Sequence, residues 1–115
     1  MAAAETEGTM DRSMRTIRIR ARLDNGVADV RILMLHPMET GMRVDEAGKV
    51  VPAHHITDVV VTLTERTVFS ARLSIAVSRD PLIAFRVAGA KAGQRLRVVW
   101  NDNGGDSRAS EAVIT

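Results

Sequence analysis

All three histidines of the chain, His36, His54 and His55, fall in one short stretch, HPMETGMRVDEAGKVVPAHHI, with Met38, Met42, Pro37 and Pro52 among them. Imidazole and thioether sulfur together form a ligand set suited to copper, and Met34 lies just upstream. The spacing argues against a chelate. In a regular strand the neighbours His54 and His55 point to opposite faces, so one ion cannot take both. No H-x-H or H-x-x-E-H arrangement is present, and methionine is also ordinary core filler. Catalysis has less support. A hydroxyl nucleophile needs a base and a carboxylate to orient it, and nothing local marks such a set. Glu39, Asp45 and Glu46 sit in a glycine-containing loop, where carboxylates are usually only solvated. The residues therefore predict no catalytic, metal or cofactor-binding site. A periplasmic copper-binding β-sandwich using the His and Met groups stands as the alternative reading.

Much of the stretch reads as a turn. Pro37 keeps His36 extended and ends a strand. Asp45-Glu46-Ala47-Gly48-Lys49 has the composition of a hairpin tip between Met42–Val44 and Val50–Val51, and Pro52 suits an edge position. A turn leaves unexplained why His36, Met38, His54 and His55 crowd its base.

The elements that must position these residues follow period two almost throughout. In TIRIRARL, Ile17, Ile19, Ala21 and Leu23 face one way and Arg18, Arg20 and Arg22 the other, which predicts a half-buried strand with an arginine stripe on its open face. Asp24-Asn25-Gly26 supplies a turn and VADVRILML a second strand. HHITDVVVTLT follows, then TVFSARLSIAVS, whose Phe69, Ala71, Leu73, Ile75 and Val77 predict one inward-facing set. PLIAFRVAG, GQRLRVVWND and SRASEAVIT complete seven candidate strands. Turn signals separate them at Glu65-Arg66, Arg79-Asp80-Pro81, residues 89–93 and Asn103-Gly104-Gly105. No segment carries an apolar helical stripe. Seven short antiparallel strands in about 100 residues predict an all-β, immunoglobulin-like β-sandwich. Trp100 need not be the tryptophan that packs on the immunoglobulin disulfide, because this chain has no cysteine. Two strands depart from clean alternation: Leu33 and Leu35 are apolar opposite Val30, Ile32 and Met34, and Val59, Val60 and Val61 run together. A strand apolar on both faces is covered by a loop or by a partner chain.

Composition narrows the function classes. The 115 residues make one domain, with a core drawn from Val, Ala, Leu and Ile and only two Phe, one Trp and no Tyr. A sequence pI near 9.9 coexists with a net charge of only +2, because little titrates between the histidines and the arginines. The aromatics that would stack bases are nearly absent, so no nucleic-acid partner is expected. The lack of cysteine removes disulfides, thiolate nucleophiles and zinc–thiolate sites. No apolar run approaches the roughly 18 residues of a membrane span, so no membrane partner is expected. Residues 1–13 read as a disordered tail without the apolar region of a secretory signal, and residues 14–115 as the folded domain.

HPMETGMRVDEAGKVVPAHHI resembles the signature of the SoxZ family, a subunit of the sulfur-carrier complex of bacterial thiosulfate oxidation. PLIAFRVAGAKAGQRLRVVWNDNGGDS is similar to that family's second block, F-[KR]-x-x-G-A-K-x-G followed by a strand ending W-x-D-N-x-G. The likeness runs from about Arg15 to Val113. His55 departs from it, since the family more usually has an aromatic there. The resemblance implies an immunoglobulin-like sandwich in a heterodimer with a SoxY-type subunit, whose C-terminal cysteine carries the sulfur intermediates. It implies no enzyme and no cofactor in this chain. It further implies transient contacts with a Sox cytochrome, a sulfate-releasing hydrolase and a sulfane dehydrogenase, and a periplasmic location reached by co-export with the partner. On that footing Leu33, Leu35, His36, Met38, Met42, His54 and His55 are the expected partner interface. Arg18, Arg20 and Arg22 are the expected electrostatic docking residues.

Overall fold

The computed structural model describes residues 16–115, so the expected tail and the first two residues of the expected domain lie outside the described residues. Seven strands are present: β1 (Ile17–Asp24), β2 (Val27–Met34), β3 (Ile56–Leu63), β4 (Arg66–Arg72), β5 (Leu82–Ala88), β6 (Arg95–Asp102) and β7 (Ser107–Val113). They pair antiparallel in two sheets, ordered β1-β2-β5 and β4-β3-β6-β7. In a constant-type immunoglobulin domain the fourth strand lies beside the fifth; here β4 lies beside β3, which widens the second sheet to four strands.

The alternation read from the sequence produces the core directly. Ile17 and Ala21 of β1, Ala28, Val30, Ile32 and Met34 of β2, Val59, Val61 and Leu63 of β3, and Leu96, Val98 and Trp100 of β6 are all buried between the sheets. Each buried Val, Leu, Ile or Met side chain among them contributes about 1.5–3 kcal/mol by leaving water, so this layer dominates stability. Phe69 of β4 stacks on Phe85 of β5, ring centroids 4.7 Å apart, and joins the edges of the two sheets. At the other side the chain end leaves β7 to bond β1, Leu23 N–H to Thr115 O at 2.8 Å and Thr115 N–H to Ala21 O at 3.2 Å. Both open edges of the sandwich are thereby bridged.

Two expectations need correction. β4 stops at Arg72, and residues 74–77 turn instead of continuing the strand: Ser74 Oγ accepts the Ala76 amide at 3.1 Å, and Val77 N–H reaches Ser74 O at 3.1 Å. A serine hydroxyl bonding the backbone two residues on favours a turn over a ladder. Leu73 and Val77 still pack on the core, whereas Ile75 is exposed. The third strand begins at Ile56, so both His54 and His55 precede it.

Candidate functional site: a histidine–aspartate clasp beneath an exposed arm

Between β2 and β3 the chain makes an excursion whose two limbs meet at two isolated bridges, Glu39↔His54 near its base and Val44↔Val50 near its tip. The tip is closed by Asp45, whose Oδ1 accepts the Ala47 and Lys49 amides at 2.9 and 3.0 Å. Gly48 there has φ +79°, a left-handed conformation that glycine adopts without strain. At Gly41, φ +88°, an added Cβ would come within 3.2 Å of Ala53 Cβ, so glycine also lets the two limbs approach. The hairpin predicted around residues 45–49 is present, as a narrow arm with single bridges instead of two regular strands.

The base of this arm is locked by a cluster that the topology assembles from three places. His36 follows β2, His54 precedes β3, and Asp102 ends β6. Asp102 Oδ2 accepts from His36 Nε2 at 3.0 Å and from His54 Nε2 at 2.9 Å. Its other oxygen, Oδ1, accepts the amides of Gly104 at 3.0 Å and Asp106 at 2.9 Å. Burial by itself would raise this carboxyl. The hydrogen bond from His36, the Asp106 amide, the His54 ring and the Gly104 amide more than reverse that effect and hold it down to about 2.

The tautomer of His36 follows from its partners. Nδ1 accepts the Met38 amide at 3.1 Å, so Nε2 carries the proton that it donates to Asp102. The backbone of His36 is held as well, with its N–H on Asp80 Oδ1 at 2.9 Å and its C=O accepting the Asp80 amide at 3.0 Å. Its ring meets the rings of His54 and Trp100 edge-on, with centroids 4.6 and 5.1 Å away. Met38, at φ +51°, turns its Sδ onto the Ile56 amide at 3.3 Å. Asp102, the His36 ring and the Met38 thioether are thus each tied to another part of the base, while the buried Trp100 Nε1 finds no hydrogen-bond partner among the described residues.

The residues expected at the interface differ in exposure within this chain. His36 is 1% exposed and Met38 5%, both packed inside this chain. They are buried because the excursion folds its own base over the end of the sandwich, where the buried Asp102 and Trp100 wait for donors and packing. His54 is half-buried. His55 faces away from the cluster, its Nδ1 within 3.2 Å of Ile56 O and its amide on Asn103 Oδ1 at 2.8 Å. Met42, in contrast, is 74% exposed, and Val44 and Val50 beside it are 56% and 61% exposed. Leu33 and Leu35 are both partly buried; Leu33 lies on the outer face of the three-stranded sheet, opposite Arg18 on one side and the exposed Leu82 on the other.

Arg18, Arg20 and Arg22 occupy that same outer face, exposed as the alternation requires. The pairing adds two more cations, since Arg20 lies opposite Arg31, and Asp29 lies between Arg22 and Arg86. Asp29 approaches only Arg31, at 3.7 Å, and Arg18, Arg20, Arg22 and Arg86 have no ion pair among the described residues. Sequence reasoning missed Arg31 and Arg86, and it missed Asp102. The available signal for Asp102 was its place in the W-x-D-N-x-G block, at a strand end before a glycine turn.

His36, His54 and Asp102 have ligand atoms within 4.8 Å of one another, a spacing compatible with a metal ion. The tautomer opposes it. A metal on His36 Nε2 would force the ring proton onto Nδ1, where it would confront the Met38 N–H. The thioethers do not converge on the cluster either: Met34 is core, Met38 accepts a backbone amide, and Met42 is at the arm's tip. The group is built as a hydrogen-bonded clasp.

Fold and site together define an immunoglobulin-like β-sandwich with a clasped, apolar-tipped arm. Over residues 17–113 the chain matches the family described as "Sulphur oxidation protein SoxZ", and it belongs to that family. Membership places it in sulfur oxidation with a SoxY partner. Solved structures of similar fold include a single-residue variant of superoxide reductase (neelaredoxin) from Archaeoglobus fulgidus in the reduced form, with TM-score 0.61, 20% identity, and 95% of this chain and 96% of that chain covered. The superoxide reductase (neelaredoxin) from Archaeoglobus fulgidus in the reduced form gives TM-score 0.56 at 20% identity, covering 87% of each chain. At that identity the likeness is one of fold alone. No curated protein matches the sequence.

Proposed function

We propose that the chain is the non-catalytic scaffold subunit of a heterodimeric sulfur carrier in thiosulfate oxidation. It would seat a SoxY-type subunit whose C-terminal cysteine holds the sulfur intermediates. The observation that carries this reading is the arm: three adjacent apolar side chains, Met42, Val44 and Val50, exposed at the tip of a limb that is rigidly clasped at its base. A pre-ordered apolar projection suits a permanent interface, because little ordering entropy is lost on docking. The absence of cysteine supports the same division of labour, since this chain offers no thiol to exchange with a persulfide on the partner.

Co-expression with the SoxY-type subunit and measurement of solution mass tests the pairing. A stable one-to-one complex that is weakened when Met42, Val44 and Val50 are all replaced by Ser agrees with it. Full-strength assembly of the triple variant removes the arm from the interface, and no complex with the unaltered chain overturns the pairing itself. The arginine face, Arg18, Arg20 and Arg22 with Arg31 and Arg86, would attract acidic surfaces of the cytochrome, hydrolase and dehydrogenase that process the carrier. Loss of the salt dependence of processing in the Arg18→Ser, Arg20→Ser, Arg22→Ser variant supports that role. A periplasmic location by co-export predicts that the chain reaches the periplasmic fraction only when the partner's export signal is intact.

A further inference from the structure

Two histidines share one oxygen of Asp102, yet their second ring nitrogens differ. His36 Nδ1 is closed off by the Met38 amide. His54 commits Nε2 to Asp102 at 2.9 Å, while its side chain is 28% exposed and its Nδ1 is neither bonded nor buried among the described residues. With the proton on Nε2 directed into a buried carboxylate, the lone pair on Nδ1 faces outward. A carboxylate holding one imidazole nitrogen and leaving the other free is the geometry of a proton acceptor.

The adjoining turn flanks the edge of that ring that faces Asp102. Gly104 lies beside it, and its φ is outside the left-handed region, so the backbone does not call for glycine there. A Cβ at Gly104 would stand 3.8 Å from His54 Cδ2, 3.9 Å from its Nε2 and 3.4 Å from Asp102 Oδ1, so Gly104 borders the edge of the ring that faces Asp102, across the ring from Nδ1. The charged and titratable groups around the ring are Asp102 and His36 across the clasp, and Glu39, itself paired with Arg43 at 2.7 Å, with Arg79 nearby.

We infer that His54 Nδ1 is the proton acceptor for a thiol that the partner subunit presents at the base of the arm. The inference rests on the proposed pairing with a cysteine-bearing subunit. The S–H proton passes to Nδ1, leaving a thiolate and a His54 imidazolium that still donates Nε2–H to Asp102. No bond forms between sulfur and this chain, and nothing is oxidised or reduced. Because the thiolate is the reactive form, a base and the cation it becomes raise the reactive fraction near neutral pH.

The test uses the assembled one-to-one complex with the partner's cysteine reduced. Its alkylation rate by iodoacetamide is measured from about pH 5 to about pH 10, a range that spans the ordinary thiol pKa of about 8.5. In the unaltered complex the rate should rise at lower pH than in the isolated partner. His54→Gln should move the rise upward by about one pH unit, a tenfold lower rate on the acid side. A His54→Gln profile that coincides with the unaltered complex, with one-to-one mass retained, overturns the role of His54 and leaves the pairing standing. Absence of any complex with the unaltered chain overturns the pairing, and this inference with it.

Discussion

The two ends of the arm obey opposite rules. At its base, polar groups are drawn inward and paired: two imidazoles and two amides converge on Asp102, and Met38 accepts a backbone amide. At its tip, apolar groups are exposed and unmatched: Met42, Val44 and Val50 face solvent around an Asp45 turn. A buried polar cluster is held together by the penalty for leaving any member unpaired, whereas an exposed apolar cluster gains only when something covers it. The base is therefore organised by folding, and the tip is the kind of surface that gains from being covered. The residues that look most chemical in the sequence are largely the structural ones.

The contrast breaks most sharply at Asp102. Replacing it with Ala strands the buried His36 Nε2–H together with the Gly104 and Asp106 amides, and should lower unfolding free energy by about 3–5 kcal/mol. Denaturant titration of the isolated chain reads this, and a loss under about 1 kcal/mol would show the clasp to be incidental. The pH dependence of the same carboxylate comes next. Its folded pKa of about 2 lies below the unfolded value of about 3.9, so its contribution is present above about pH 4 and fades as pH falls toward 2. Unfolding curves at neutral and acid pH should show a loss of roughly 2–3 kcal/mol over that window, absent from Asp102→Asn.

At the tip the effects should separate. Changing Met42, Val44 and Val50 to Ser should leave the isolated chain within about 0.5 kcal/mol of its original stability, as exposed positions usually do. The same variant should lose roughly 10- to 100-fold in partner affinity by calorimetry, the size expected for central apolar contacts. If the isolated chain unfolds instead, the division between base and tip is wrong. The smallest effect is expected at Arg43, whose exposed pair with Glu39 spans four residues of the arm. Arg43→Ala should leave the thermal melting curve of the isolated chain nearly unchanged, because solvent screens the exposed pair.

The seven strands were legible because alternation is written locally: TIRIRARL declares its own buried face and its own arginine face, and the sandwich follows once each strand has one apolar side. The strand between Phe69 and Val77 was over-extended for the same reason, since period two does not register the Ser74 hydroxyl bonding to the Ala76 amide. Crowding of His36, Met38, His54 and His55 near one another was also legible, and so was the turn between them. Their burial was not. His36 and Asp102 are 66 positions apart, and no local pattern says that a strand-end aspartate will sit beneath two histidines.

By itself, then, the sequence determined the number and faces of the strands, the turn of the arm, the exposed arginine stripe, the lack of a thiol and the likeness to the SoxZ signature. Each is a property of residue type and near-neighbour spacing. Only the tertiary structure decided that β4 joins β3, that Arg31 and Arg86 complete the basic face, and that the histidine base is a clasp while the apolar tip is bare. Those outcomes depend on which strands become neighbours and on which buried polar groups must find each other. That pairing is settled across the whole chain, between groups whose separation in sequence carries no pattern.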